Sequence, residues 1–186
     1  MHARAASARS HKKMIIVATG DGKGKTTAAV GQAVRALGHG KRVFFAQFIK
    51  CDGYPSGEDA ILRGFEGKLT FVKGGKGFVG ICGDKLPFAE HRAAAEETLA
   101  QAGEAVHSGK YDLVILDEVN VAISLKLITP DAMLKFLDTV PATCDVMITG
   151  RDADSRVLKK ADFVTECVEV KHPFHKKVGA RKGVEY

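Results

Sequence analysis

The sequence predicts an α/β fold with a mostly parallel sheet flanked by helices on both faces, and three observations carry that expectation. Apolar runs of strand length alternate with helical patterns, the arrangement that builds parallel sheets. The run Met14-Ile15-Ile16-Val17-Ala18 passes into the glycine-rich stretch Thr19-Gly20-Asp21-Gly22-Lys23-Gly24-Lys25-Thr26-Thr27 and then into a helical pattern. A second apolar run, Leu113-Val114-Ile115-Leu116, ends in the acidic pair Asp117-Glu118.

The elements follow in order. The first strand is expected over 14–18 and its helix over about 25–37, where Ala28, Ala29, Ala33, Val34 and Leu37 are apolar and Gly38 supplies a C-terminal cap. Residues 42–49 read as a second buried strand. Residues 50–59, with Gly53, Pro55 and Gly57, read as a loop at its carboxyl end, the edge where open α/β sheets place ligands. A short strand over 69–72 precedes Gly74-Gly75-Lys76-Gly77-Phe78-Val79-Gly80-Ile81-Cys82-Gly83, whose glycines suggest a mobile loop that positions one aromatic ring. Residues 88–107, rich in Ala and Glu and closed by Ser108-Gly109, form the clearest helix. A buried strand over 111–118 carries the acidic pair. Thr129-Pro130 is an N-cap and first-turn pair that opens a helix to about 138. Residues 145–149, 154–160 and 163–170 read as strand, short helix and strand.

At 186 residues and 45% hydrophobic, the chain can bury one good core but is short for two. One domain over 14–186 is expected, preceded by a basic flexible arm over 1–13 (Arg4, Arg9, His11, Lys12, Lys13). A net charge of +6 suits a polyanion, and ATP alone would satisfy it. Basic residues also cluster at Lys171, His172, His175, Lys176, Lys177, Arg181 and Lys182, but without the aromatic-studded stripe of a nucleic-acid binder. Nucleic acid is therefore not an expected partner. Cys51, Cys82, Cys144 and Cys167 are widely spaced, which favours buried free thiols in a reducing cytoplasm over a disulfide framework or a metal site. No apolar run reaches membrane length, and residues 1–13 lack the apolar core of a secretory signal.

The stretch over 19–27 reads as a phosphate-binding loop. Glycines let the backbone curl so that amide groups point inward, and the following helix presents unpaired N–H groups and its positive dipole end. Lys25 adds a charge for the outer phosphates, and the Thr26 hydroxyl stands where it can ligate Mg²⁺. The strict pattern asks for Gly where this chain has Thr19, but the strand before and the helix after are both present. Asp117-Glu118 is the expected partner, since a carboxylate ending a nearby strand can face that ion. Together these pieces predict a P-loop NTPase-like (RecA-like) three-layer architecture. They leave open which bond of ATP breaks: Glu118 could equally polarise water as a general base in an ATPase or a kinase.

Further pieces stand in the same order: Arg35-Ala36-Leu37-Gly38-His39-Gly40-Lys41, Gln47-Phe48-Ile49-Lys50, Gly77-Phe78, Ile148-Thr149-Gly150-Arg151, Lys171-His172-Pro173-Phe174 and Gly183-Val184-Glu185-Tyr186. With the loop and the acidic strand end, they resemble the ATP:corrinoid adenosyltransferases of the CobA/CobO/BtuR type from about 14 to 186. The resemblance implies that Co(I) of a reduced corrinoid attacks C5′ of ATP and that triphosphate leaves as a unit, on the way to adenosylcobalamin. The loop then becomes an electrostatic sink for a leaving group.

By position, the resemblance gives nucleotide contacts to Gly20, Asp21, Gly22, Lys23, Gly24, Lys25, Thr26 and Thr27. It gives Mg²⁺ (or Mn²⁺) to Thr26, Asp117 and Glu118, and the catalytic part to Lys25, Thr26 and Glu118. Arg35 is a candidate for the outer phosphate and equally a solvated helix residue. Arg151 is a candidate for nucleotide or corrinoid and equally a surface charge. For His172 and His175 a structural part is favoured over cobalt ligation. The resemblance further implies a homodimer, a cytoplasmic setting and a flavin-type reductase as electron donor. One departure stands out. In relatives the Gly-Phe pair is followed after one residue by Trp, and aromatics there pack below the corrin; this chain has Gly80 at that position and no Trp. Phe78 remains, with Ile81, Phe88 or a partner residue as possible fillers.

Overall fold

The computed structural model describes residues 12–81 and 83–186, so most of the expected arm (1–11) and Cys82 lie outside the described residues. Among the described residues, strands β1 (Ile15–Thr19), β2 (Val43–Gln47), β3 (Leu69–Lys73), β4 (Leu113–Asp117), β5 (Asp145–Thr149) and β6 (Phe163–Glu166) form one sheet in the order β3-β2-β4-β5-β1-β6. Every pairing is parallel, so the expected mostly parallel sheet is wholly parallel. All six strands therefore end on one rim. The helices are α1 (Lys25–Gly38), α2 (Gly57–Arg63), α3 (Phe88–His107), α4 (Val119–Ser124), α5 (Pro130–Thr139) and α6 (Ser155–Lys160), with a 3₁₀ turn at Pro173–Lys176.

Side-chain alternation along each strand splits the core into two layers. On one face Ile15, Val17, Phe44, Val114, Leu116, Val146 and Ile148 pack under α3, α4, α5 and α6. On the other, Val43, Phe45, Leu113, Ile115 and Met147 meet the alanines of α1 (Ala29, Ala33, Ala36) and Leu62 of α2. Those small residues let α1 lie close to the sheet. Fully buried Phe45 alone is worth about 1.5–3 kcal/mol relative to exposure.

Several expectations are corrected. The stretch read as a loop over 50–59 already contains the start of α2, N-capped at Ser56. Residues 119–124 form α4, which the sequence reading did not anticipate. Gly38 lies inside α1, and the left-handed residue after the helix is Gly40 at φ 73°. The last strand stops at Glu166 rather than 170, since Cys167 leaves the sheet to meet the loop after β1.

The glycine-rich segment after β3 is pinned rather than free. Gly74 and Gly77 donate their N–H groups to Gln47 O and Ile49 O, both at 2.9 Å. A Cβ on Gly75 would lie 2.2 Å from the Ile49 carbonyl carbon, so its glycine serves close approach to the end of β2. Of the described cysteines, all free, only Cys144 is buried; Cys51 and Cys167 are half-buried. Lys13, assigned to the arm, donates from Nζ to Leu137 O and Val140 O (2.9 and 2.8 Å) at the end of α5.

Candidate active site

The loop after β1 is shaped by close contact with the exit of β6. Gly22 donates its N–H to Cys167 O at 2.6 Å, and a Cβ there would meet Cys167 O and Val168 at 2.7 Å. Gly20 (φ 90°) is as tightly placed, its Cβ falling 2.6 Å from Cys167 O. Gly24 is different: at φ 119° it N-caps α1, so glycine is required there for its backbone conformation. The first turn of α1, with its unpaired N–H groups and positive dipole end, opens directly onto the loop. Lys25 is 7% exposed, and its ammonium sits inside the curl, donating to Gly20 O at 2.5 Å and Gly22 O at 2.8 Å.

Asp117, at the end of β4 and fully buried, is where the elements converge. Its carboxylate accepts from Thr26 Oγ1 (3.0 Å), Thr149 Oγ1 (2.7 Å) and Gln47 Nε2 (3.0 Å), and Lys50 Nζ stands 3.8 Å away. A buried carboxylate is stable only with such partners. Asp117 therefore lies beneath the cleft, holding the Thr26 hydroxyl in place, while Glu118 faces into it. Glu118 adopts φ 64° as the N-cap of α4, an unusual conformation for a non-glycine residue, and donates its N–H to Thr149 Oγ1 at 3.0 Å. Burial, with Asp117 adding to it, pushes the Glu118 carboxyl above its ordinary range. Of the three oxygen-bearing residues expected at a cation, Thr26 and Glu118 line the cleft, whereas Asp117 lies beneath it with its oxygens taken by other donors.

The Thr149-Gly150-Arg151 motif has a residue-by-residue account. Thr149 bridges Asp117 and the Glu118 amide. Gly150 passes α4 so closely that a Cβ would lie 2.9 Å from Asn120 Cβ. Arg151 reaches back over the loop, donating from Nη2 to Asp21 O at 3.1 Å.

A cleft of about 770 Å³ opens at this point, lined by loop residues 21–27, Glu118 and Arg151. It is also lined by residues to which the sequence gave no nucleotide contact, among them Lys50, Glu58, His172 and Tyr186. Lys50 Nζ donates to Glu58 Oε1 at 3.0 Å. Its position directly after the Gln47-Phe48-Ile49 strand end was the only sequence signal for it. His172 accepts from the Phe174 N–H at Nδ1, 3.2 Å, and so caps the 3₁₀ turn. Two sequence candidates lie apart from the cleft. Arg35 is exposed on α1, about 12 Å of helix beyond Thr27. Phe78 packs against Tyr54 outside the lining residues.

A wholly parallel sheet with a phosphate loop after β1, and an acidic strand end separated from it by β5, defines a P-loop nucleotide-binding protein of the RecA-like class. In agreement, the flagellar accessory protein FlaH of Methanocaldococcus jannaschii superposes with a TM-score of 0.54 at 14% identity, over 84% of this chain and 71% of that one. The model of the family "ATP:corrinoid adenosyltransferase BtuR/CobO/CobP" matches residues 11–186, and the chain belongs to that family. It is 36% identical to the corrinoid adenosyltransferase of Pseudomonas aeruginosa over 97% of this chain and 87% of that protein. It is also 36% identical to the Escherichia coli K12 corrinoid adenosyltransferase and 37% to the corrinoid adenosyltransferase CobA of Salmonella typhimurium, each over 99% of this chain and 91% of the relative.

Proposed function

We propose that this chain transfers the 5′-deoxyadenosyl group of ATP to the Co(I) centre of a reduced corrinoid and releases inorganic triphosphate, in the making or salvage of adenosylcobalamin. The observation that carries the reading is that the cleft walls, from the loop after β1 to Tyr186, all fall within the span matched by the family. The Co–C5′ bond forms, the C5′–O bond breaks, and the electron pair leaves on the triphosphate. Co(I) carries no proton, so no general base is needed and Glu118 is free for another task.

Charge grows on the departing oxygen, and the chain meets it with the first-turn amides of α1 and with Lys25, held ready inside the loop. Lys23, Arg151 and Lys50 add positive charge around the same cleft. Thr26 and Glu118 would hold Mg²⁺ or Mn²⁺, with Asp117 fixing the hydroxyl from below. A cation bound there would neutralise part of the triphosphate charge. Phe78 is assigned to the corrin side, whereas Arg35 stands outside the set. The reading includes a homodimer, a cytoplasmic setting and a flavin-type reductase that delivers the electron for Co(I).

The test is anaerobic. Protein, ATP, Mg²⁺ and chemically reduced corrinoid are mixed, and a light-sensitive Co–C product is expected together with triphosphate. ADP and phosphate without that product would overturn the reading.

A further inference from the structure

Half-buried His172 lines the cleft and also caps the 3₁₀ turn, accepting the Phe174 N–H at Nδ1, 3.2 Å. A backbone amide only donates, so this contact fixes the tautomer of the ring: Nδ1 keeps its lone pair and Nε2 carries the proton. Among the described residues nothing accepts from Nε2. Glu169, the carboxylate nearby, is already taken by His175 Nε2 at 2.5 Å.

The segment that carries the ring is tied to the phosphate loop. Gly22 donates to Cys167 O, and a Cβ on Gly22 would meet Val168 at 2.7 Å. His172 follows four residues after Val168, at most about 14 Å of chain. Arg151 lines the same cleft, reaches Asp21 O at 3.1 Å and acts, like His172, on Glu169. The two therefore belong to one wall, beside the first half of the loop. The Lys25 and Lys50 ammonium groups are engaged within the chain, by Gly20 O and Gly22 O and by Glu58. The Nε2–H, by contrast, is uncommitted, and the turn holds it in place, so little freedom is lost when it finds an acceptor.

We propose that His172 is a triphosphate-binding residue, whose Nε2–H donates to a phosphate oxygen of ATP and then of the departing triphosphate. This rests on the nucleotide part of the reading above. With Nδ1 taken by the turn, the ring offers the cleft a donor and no lone pair. That suits an ionised phosphate, which only accepts, and does not suit a metal centre, which would need the lone pair. No proton moves: the same hydrogen bond is made before and after the C5′–O bond breaks, and it strengthens as charge gathers on the triphosphate.

The experiment titrates the protein with inorganic triphosphate and with ATP, both with Mg²⁺, by calorimetry, and follows the Phe174 amide by hydrogen exchange. His172→Asn places an acceptor where Nδ1 stands and no donor where Nε2 stands. It should keep the Phe174 amide protected yet bind triphosphate about tenfold more weakly, the effect of one hydrogen bond to a charged group. His172→Gln carries an amide N–H out to the position of Nε2. It should bind triphosphate within about threefold of wild type, while the Phe174 amide exchanges faster. If His172→Asn binds triphosphate as wild type does, or if both variants weaken equally, the proposal is overturned and the ring is a cap alone; the nucleotide reading then stands, because wild type still binds. If wild type binds neither triphosphate nor ATP, the nucleotide reading fails and the proposal with it.

Discussion

The Thr26 hydroxyl donates to the Asp117 carboxylate at 3.0 Å, so the first turn of α1 and the end of β4 are one hydrogen bond apart across 91 residues of sequence. Replacing Asp117 by Asn removes the charge and turns an N–H group towards the donors Thr26, Thr149 and Gln47. Metal-dependent adenosyl transfer should fall about 10–100-fold, the usual effect of disturbing a group that orients a ligand. Urea unfolding should show a loss of about 1–3 kcal/mol from the unpaired donors. ATP affinity measured in EDTA should persist; its loss would mean that Asp117 shapes the loop rather than the cation site.

Gly22 and Gly24 should fail for different reasons. A Cβ on Gly22 meets backbone atoms of Cys167 and Val168, so Gly22→Ala must push the loop and the β6 exit apart. The Cys167 amide, which donates to Thr19 O at 2.8 Å, should then exchange its hydrogen faster, and ATP binding should weaken. Around Gly24 there is open space, so Gly24→Ala carries only its φ of 119°, about 1–3 kcal/mol of backbone strain. Its Cys167 amide should exchange at the wild-type rate. Equal protection in both variants would contradict the steric account.

Asp84 clasps the segment behind Phe78. Its carboxylate accepts from the Gly80 N–H at 2.8 Å and the Leu86 N–H at 3.0 Å, and lies 3.0 Å from His91 Nε2. The two amides, with His91 adding to them, hold the carboxyl below its ordinary 3.8. A depressed value means that the clasp is fully present above that ordinary pKa and is lost as pH falls through the lowered one. The Gly80 and Leu86 amide shifts should therefore titrate together with a midpoint under 3.8. A midpoint at or above it would show the clasp absent in solution.

Cys144 is 1% exposed, and burial, with Asp145 and Asp112 adding to it, pushes its thiol up to about 11. Iodoacetamide at mildly alkaline pH should label half-buried Cys51 and Cys167 in the native protein and leave Cys144 untouched until unfolding. Mass spectrometry of the labelled peptides decides this, and early labelling at Cys144 would indicate local opening of the sheet.

How much could be read in advance depended on how local the cause was. The helix α3 was legible to the residue, because twenty residues rich in Ala and Glu run uninterrupted between Pro87 and Ser108. The phosphate loop was legible because its glycines, lysine and threonines act within nine positions. Hidden from sequence was α2, seven residues long and started by Asp59 accepting the Ser56 amide where a Glu or Gln is the usual sign. Hidden too was α4, whose Val119, Val121 and Ile123 favour strands and which forms under the pull of burial. The donors around Asp117 come from β2, α1 and β5, so their meeting depends on sheet order. That order is a tertiary fact that no single segment encodes. Likewise, the glycines around Phe78 looked like a device for motion, and only the nearby β2 exit shows them to be a device for contact.

Glu58 and Asp59 are neighbours on α2, yet one is taken by Lys50 at the cleft and the other by Lys73 beneath Tyr54. The two ion pairs that tie α2 to the exit of β2 and to the end of β3 are therefore one helical step apart, about 1.5 Å of rise and a fixed rotation. A residue gained or lost within 50–55 would disturb the contacts that hold this segment, Lys50 Nζ to Glu58 Oε1 and the Tyr54 N–H to Cys51 O. The same change between Ser56 and Asp59 would rotate one carboxylate away from its lysine. A single pitch of α2 thus keeps both lysines paired at once, so the cleft wall at Glu58 and the support under Tyr54 move as one unit.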